Sequence, residues 1–400
     1  MENKIRQPHL CGDEQCTGCM ACVNSCNQKA LQIVQNKEGF YRPQLDESKC
    51  IGCGLCERNC PVLNKIESKL SVELKVYAAW HKDEEIRMSS SSGGAFTALA
   101  EYVLVQGGVV FGAAYGENMQ ILHAGVESMD ELKRLRMSKY AQSKVGDAFR
   151  TVKEVLNNGR IVMFVGTPCQ VAGLRAFLHK DYDNLLAVDI ICHGVPSILF
   201  FQTYLKWVES KYGKVENINF RDKRKGWYDA LRVIKVGNCE RVLKGTDDNY
   251  WVAFNNNNNL QHCCYGCSFQ SFPRVSDLTI ADFWGVGKNI AFGHKEEIEK
   301  GVSLIVVNNP LKQHFIKDAA ERMYIEQRSL EEAKVGNNTA LTESRCPAAR
   351  ATIYQDLQTM DYDTFRKKYL GTTKKQDLVK LFRERLPYGI IKWVRLRSQK

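Results

Sequence analysis

Eight cysteines in two short runs are the residues best placed to do chemistry. The first run is Cys16-x2-Cys19-x2-Cys22-x3-Cys26; the second is Cys50-x2-Cys53-x2-Cys56-x3-Cys60, followed by Pro61. Two-residue gaps let one short loop wrap three corners of an iron–sulfur cubane, and the fourth cysteine of each run then serves the other cluster. The spacing assigns one [4Fe–4S] cluster to Cys16, Cys19, Cys22 and Cys60, and a second to Cys26, Cys50, Cys53 and Cys56. A pair of zinc sites is the competing reading, but structural zinc usually joins two separated cysteine pairs around a tetrahedral ion. Asn27 stands after the first run where the pattern has proline, which bears on packing beside Cys26 and not on ligand count. Two cubanes imply transfer of single electrons.

Four more cysteines suggest a third cluster. Cys169 and Cys192 each follow an apolar run readable as a strand, Ile161–Val165 and Leu185–Ile191, with a helix between them. If those strands are parallel neighbours, both thiols emerge at the carboxyl edge of a sheet, where open α/β folds bind their ligands. Cys264 and Cys267, two residues apart, bring the number to four. Cys263 is an alternative to Cys264, and a buried cysteine can also be simply a small hydrophobe. Cys11, Cys239 and Cys346 have no partner in any spacing and read as structural.

The elements that position these groups fall into a cysteine-rich segment, 1–65, a charged connector, and a longer body. Strands are expected at Val76–Trp80, Val109–Ala114, Ile161–Val165, Leu185–Ile191, Ile218–Phe220, Leu231–Val236, Leu278–Ala281 and Val302–Val307. Helices are expected at Ala95–Val105, Val145–Leu156, Gln170–His179 and Ile198–Glu209. The fold class is α+β: a small bacterial-ferredoxin-like domain followed by a mixed α/β body whose sheet is at least partly parallel. The body divides into 76–150 and 151–345, with 346–400 as a basic helical tail. Asn255–Asn259 reads as a turn without evident chemistry.

The chain has 400 residues, 44% of them hydrophobic and 25% charged, an ordinary globular composition. Sixteen cysteines in a chain this long, opening MENKIRQPHL without an apolar leader, point to metal binding in a cytoplasmic protein and not to disulfides. Net charge is +11, but Asp361 to Lys400 hold 12 Lys or Arg against 4 Asp or Glu. The remainder is close to neutral, which argues against a nucleic-acid partner. Within that tail Leu378–Arg397 mixes apolar and basic residues, suited either to an anionic membrane surface or to packing on the body with a solvated face.

Several body segments cluster Gly, Ser, Cys and aromatic residues: Ser89–Thr97, Met137–Tyr140, Gly166–Gln170, Ile191–Gly194, Arg221–Trp227, Cys264–Cys267 and Asp282–Gly285. In these the chain resembles the beta subunit family of coenzyme F420 hydrogenases and dehydrogenases. That family includes plant-type reductases of hydroxymethyl chlorophyll and bacterial proteins that look like parts of polysaccharide pathways. The resemblance implies a bound flavin, FAD, beside the clusters, and places Ser138, Lys139, Tyr140, Arg221 and Lys223 on it. Ser91, Ser92, Gly93 and Gly94 precede a helix, where amides and hydroxyls can cradle a phosphate; a plain N-cap with a glycine turn is the other reading. Thr167 belongs to the same flavin set. The Arg221–Lys225 cluster is equally readable as a solvated charge run. His193 is a proton donor or a satisfied structural histidine, and no catalytic residue is assigned.

The expected function is a flavin-dependent iron–sulfur oxidoreductase, acting with a redox partner protein, a ferredoxin or complex subunit, on a small molecule. The alternatives are a non-catalytic electron-transfer subunit of a larger complex and a flavin-free iron–sulfur sensor.

Overall fold

Gly18 and Gly52 occupy equivalent places in the two cysteine runs, and both take positive φ, 68° and 70°. Each reverses the chain between the first and second cysteine of its run, a conformation that a Cβ would strain. At Gly18 a Cβ would also meet Gln142 Nε2 at 2.3 Å and the Tyr41 carbonyl at 2.9 Å. A short helix follows in each run, Ala21–Ser25 and Leu55–Arg58. Between the runs β1 (Leu31–Gln35) and β2 (Tyr41–Leu45) pair antiparallel. The computed structural model describes residues 6–66, 73–342 and 344–371.

The body is built on a sheet of eight strands. These are β3 (Lys75–His81), β4 (Val109–Tyr115), β5 (Ile121–Val126), β6 (Val162–Gly166) and β7 (Leu185–Ile190), joined after a small sheet by three more. The small sheet is antiparallel and holds β8 (Asn217–Asp222), β9 (Leu231–Val236) and β10 (Cys239–Leu243). The chain then returns as β11 (Leu278–Asp282), β12 (Ser303–Val307) and β13 (Met323–Arg328), giving the order β13-β3-β12-β11-β7-β6-β4-β5. The four central strands β11, β7, β6 and β4 are parallel, and the flanking pairs are antiparallel.

Burial on both faces explains why the central strands are continuous apolar runs. Val162, Phe164, Leu185 and Ala187 enter one core with the helices Ala148–Asn157 and Pro168–Leu178. Met163, Leu186 and Val188 enter another with Ala95–Val105 and His314–Ala319. All eight expected strands are present. The two that close the edges, β5 and β13, read ILHAGV and MYIEQR and carry weaker apolar patterns, because each pairs on one side only.

The cysteine-rich unit shares the first of these cores. Cys19, Met20, Phe40 and Tyr41 pack with Phe149, Val171 and Leu174, and Arg150 donates to the carbonyls of Asn24 and Cys26 at 2.8 and 2.6 Å. The helices Ile353–Thr359 and Tyr362–Tyr369 pack there too, Phe365 lying 5.6 Å from Phe200. The segment Leu378–Arg397 lies outside the described residues. Among those described, no helix is long and apolar enough to cross a membrane.

Candidate redox site

The interleaved runs bring Cys16, Cys19, Cys22 and Cys60 to one small cavity, and Cys56, expected at the second cluster, reaches its wall as well. Each of the first three thiols feels the charge of Cys60. Cys56 likewise feels Cys26 and Cys53. Burial pushes the Cys16, Cys19, Cys22 and Cys56 thiols above their ordinary range, so a thiolate there needs a metal to hold its charge. The donor set fits iron–sulfur clusters. Among the described residues no three His, Cys, Asp or Glu side chains are arranged around a single metal ion; a cubane makes a different demand, one thiolate on each of four irons. Cys11, which has no partner by spacing, also lines this cavity and lies against Cys60.

A second group of thiols forms in the body. β6 ends at Gly166 and its helix begins at Pro168, which puts Cys169 in the first turn; Cys192 lies two residues past the end of β7, in the loop before the helix that starts at Ile198. A single turn at His262–Cys264 carries Cys264 and leads to Cys267. Cys169 feels Cys267, Cys192 and Cys264, and Cys192 feels Cys264 and Cys267. Cys264 Sγ accepts from the Val195 amide at 3.4 Å, whereas Cys263 Sγ points to the Cys16 carbonyl at 3.5 Å.

The two groups meet across the helix Pro168–Leu178. Cys19 feels Cys169, and a Cβ on Gly173 would lie 2.9 Å from Cys19 Cβ and 3.0 Å from its Sγ. A ligand to a cluster cannot swing aside. Gly173→Val is therefore expected to lower iron content at the first site and to cost about 1–3 kcal/mol as overpacking. Iron per chain and the anaerobic urea midpoint check this.

A cavity of about 500 Å³ opens from Cys169 and Cys192 along the carboxyl edge of the parallel strands. Ser91, Ser92 and Gly94 line it from the β3 side, and Ser138, Lys139 and Tyr140 from the loop after β5. Thr167 and Arg221 complete the expected residues on its wall. Gly94 is the N-cap of Ala95–Val105 at φ 92°, with no side-chain cap bond. Ser91 Oγ instead accepts from the Ser138 amide at 2.9 Å.

Two expected flavin residues lie elsewhere. A Cβ on Gly93 would meet the Ala79 carbonyl and the Ser303 amide, so Gly93 packs on the sheet edge. The Lys223 ammonium donates to the carbonyls of Arg87, Ser92 and Lys300, each at 2.6 Å, and ties the serine loop down from behind.

The cavity wall is cationic. Arg221 is buried, lies 4.7 Å over the Trp284 ring and reaches Asp282 at 3.4 Å, yet among the described residues neither its Nε nor that of Arg136 has a partner. Trp284 stacks on Trp227 at 4.7 Å and 5°. Lys139 is brought down to about 7 by burial and donates only to the carbonyls of Arg134 and Arg136. Buried cations with unspent donors fit a cofactor bearing phosphates or a reducible ring.

His193 lines the cavity but bonds Asn257 at 2.7 Å and packs on Phe254. The asparagine run thus orients a wall residue, which its composition did not signal. His123 was also missed, for it sits alone on an edge strand. Its Nδ1 is 3.0 Å from Ser143 Oγ and its Nε2 3.2 Å from the Val165 carbonyl. Burial brings it down from 6.5 to about 4, against the opposing Val165 bond. The unfolded chain takes this proton near pH 6.5 and the folded chain only near 4, so stability present above 6.5 drains as pH falls. The loss approaches about 3 kcal/mol. His123→Gln should lose less stability than the parent between about pH 7 and 5, read from urea midpoints.

For the coenzyme F420 hydrogenase/dehydrogenase beta subunit, the model of its C-terminal part matches residues 159–333 and the model of its N-terminal part matches 76–150. The chain belongs to the coenzyme F420 hydrogenase/dehydrogenase beta subunit family. A 4Fe–4S dicluster domain matches residues 15–64. A beta-subunit-family body joined to a two-cluster domain makes the chain an iron–sulfur oxidoreductase with an electron-transfer role. It is 26% identical to the coenzyme F420-dependent sulfite reductase of Methanocaldococcus jannaschii over 53% of this chain and 35% of that one. An uncharacterised protein of the same organism is 21% identical over 78% of this chain and 88% of its own. The ferredoxin-type protein NapF of Escherichia coli is 40% identical over 12% of this chain and 29% of its own. The chain thus spans about a third of the sulfite reductase and of NapF. A chain of the F420-reducing [NiFe] hydrogenase complex from Methanosarcina barkeri aligns with TM-score 0.44 and 16% identity, over 72% of this chain and 93% of that one.

Proposed function

We propose that this family member is a flavin-dependent oxidoreductase with three [4Fe–4S] clusters, the third held by Cys169, Cys192, Cys264 and Cys267. A redox partner protein exchanges electrons with the N-terminal unit, and the cavity holds FAD and admits a small-molecule substrate. One observation carries the reading: Cys169 lies within electrostatic reach of Cys19 in the ferredoxin-type unit and also lines the cavity.

A bound flavin supplies the exchange between single electrons and the electron pairs that organic substrates need. The protein's part is placement. Gly173 lets Cys19 approach the helix Pro168–Leu178, which carries Cys169 in its first turn. Arg221, Arg136 and Lys139 offer donors to negative charge, and the Trp227–Trp284 stack keeps Arg221 flat against the wall. Asp282 holds that stack in place by accepting from Trp227 Nε1 at 2.8 Å.

The test is an anaerobic titration of the purified chain with reduced methyl viologen. The reading predicts that the flavin band bleaches along with the iron–sulfur absorption, and that acid releases FAD. Iron–sulfur bleaching with no flavin band would overturn it.

A further inference from the structure

Thr167 was expected to face a flavin, but its hydroxyl is directed elsewhere. It lies 3.1 Å from Cys169 Sγ and 3.1 Å from Gln170 Oε1. Which acceptor receives its single proton can be worked out from a fixed end of the network.

That end is the Val165 carbonyl, which only accepts. His123 Nε2 must therefore carry the proton toward it, at 3.2 Å, and in the neutral ring Nδ1 is left as an acceptor. Burial keeps this ring neutral. Ser143 then donates its hydroxyl proton to His123 Nδ1 at 3.0 Å, and its oxygen accepts from Gln170 Nε2 at 3.0 Å. The Gln170 amide is thereby oriented with Oε1 toward Thr167, where it already accepts the Thr167 backbone N–H at 2.9 Å in a capping box. The Thr167 hydroxyl is left to choose between a carbonyl oxygen that already has a donor and a sulfur. A metal-bound thiolate is charged, and hydrogen bonds to charged acceptors are the stronger ones.

Resting on the third cluster proposed above, we infer that Thr167 is a positioning residue whose hydroxyl donates to the Cys169 thiolate and raises the reduction potential of that cluster. Reduction adds negative charge to the cluster, and a donor on its sulfur stabilises the reduced form. The chain from His123 to Gln170 holds the hydroxyl in place.

The test uses the full chain purified anaerobically, with redox titrations followed by EPR. Cys169→Ala first identifies which signal belongs to the third cluster. In Thr167→Val that signal should titrate at a more negative potential, with iron content and the other two signals unchanged. Thr167→Ser should restore the parent value. An unmoved potential in Thr167→Val with the signal intact would overturn the inference and leave the third cluster standing; absence of any signal lost in Cys169→Ala would remove both. If the valine variant loses iron, Thr167→Ala takes its place. The parent's reduced third cluster should also show a coupling to an exchangeable proton that is missing in Thr167→Val, beside any from the Val195 amide on Cys264, and identical couplings in parent and variant would overturn the inference.

Discussion

Replacing Cys169 by alanine is expected to remove about four iron atoms per chain, one cubane's worth, while leaving about eight. The loss follows from convergence. Cys169, Cys192, Cys264 and Cys267 come from the ends of two neighbouring parallel strands and from one loop. Cys263 is the nearest spare: its sulfur donates to the Cys16 carbonyl at 3.5 Å and also lies against Cys264, and the double variant Cys169→Ala/Cys263→Ala removes it as a substitute ligand. The eight N-terminal ligands lie on separate loops and should keep their iron. Iron and acid-labile sulfide assays on the parent and variant measure the difference directly. An iron content unchanged even in the double variant would mean that the four body thiols hold no cluster.

Arg274→Met should be the most destabilising single substitution around this site, at about 3–5 kcal/mol. Asp189, one residue before the end of β7, has a side chain only 1% exposed, and that of Arg274 is 2% exposed. The carboxylate accepts from Arg274 Nη1 at 3.1 Å and Thr279 Oγ1 at 2.6 Å. Burial nonetheless pushes Asp189 above the usual carboxylate range, so its charge depends on the arginine. Arg274 also donates to the carbonyls of Ile190 and Gln270 at 2.8 and 2.6 Å, and so ties the Cys267 loop to the strand that precedes Cys192. Removing the guanidinium strands a buried carboxylate and frees that loop. Pairing the change with Asp189→Asn removes the stranded charge, and the double variant should be more stable than Arg274→Met alone. Anaerobic urea midpoints of the three variants test this, with a loss below about 1 kcal/mol in Arg274→Met contradicting it.

Much of this arrangement was legible in the sequence. Cysteine spacing reports ligand geometry because loop length limits which thiols can share a cubane, and the apolar runs of β6 and β7 report burial on both sheet faces. What escaped was set by tertiary contact. Cys11 has no motif, and only the folded loops bring it beside Cys60. Lys223 sits in a basic cluster whose composition suggests anion binding, yet three backbone carbonyls use up its donors. Thr167 lines the cavity, but its hydroxyl direction depends on a network that starts at His123 on an edge strand. His193 shows the same limit, because its partner Asn257 comes from a run that looked featureless.

The most direct test of the whole account is the count of iron, acid-labile sulfide and flavin in the anaerobically purified full chain. The account predicts about twelve iron, about twelve sulfide and one flavin per chain. About eight iron and no flavin would contradict it, leaving a two-cluster electron carrier whose cationic cavity serves some other ligand.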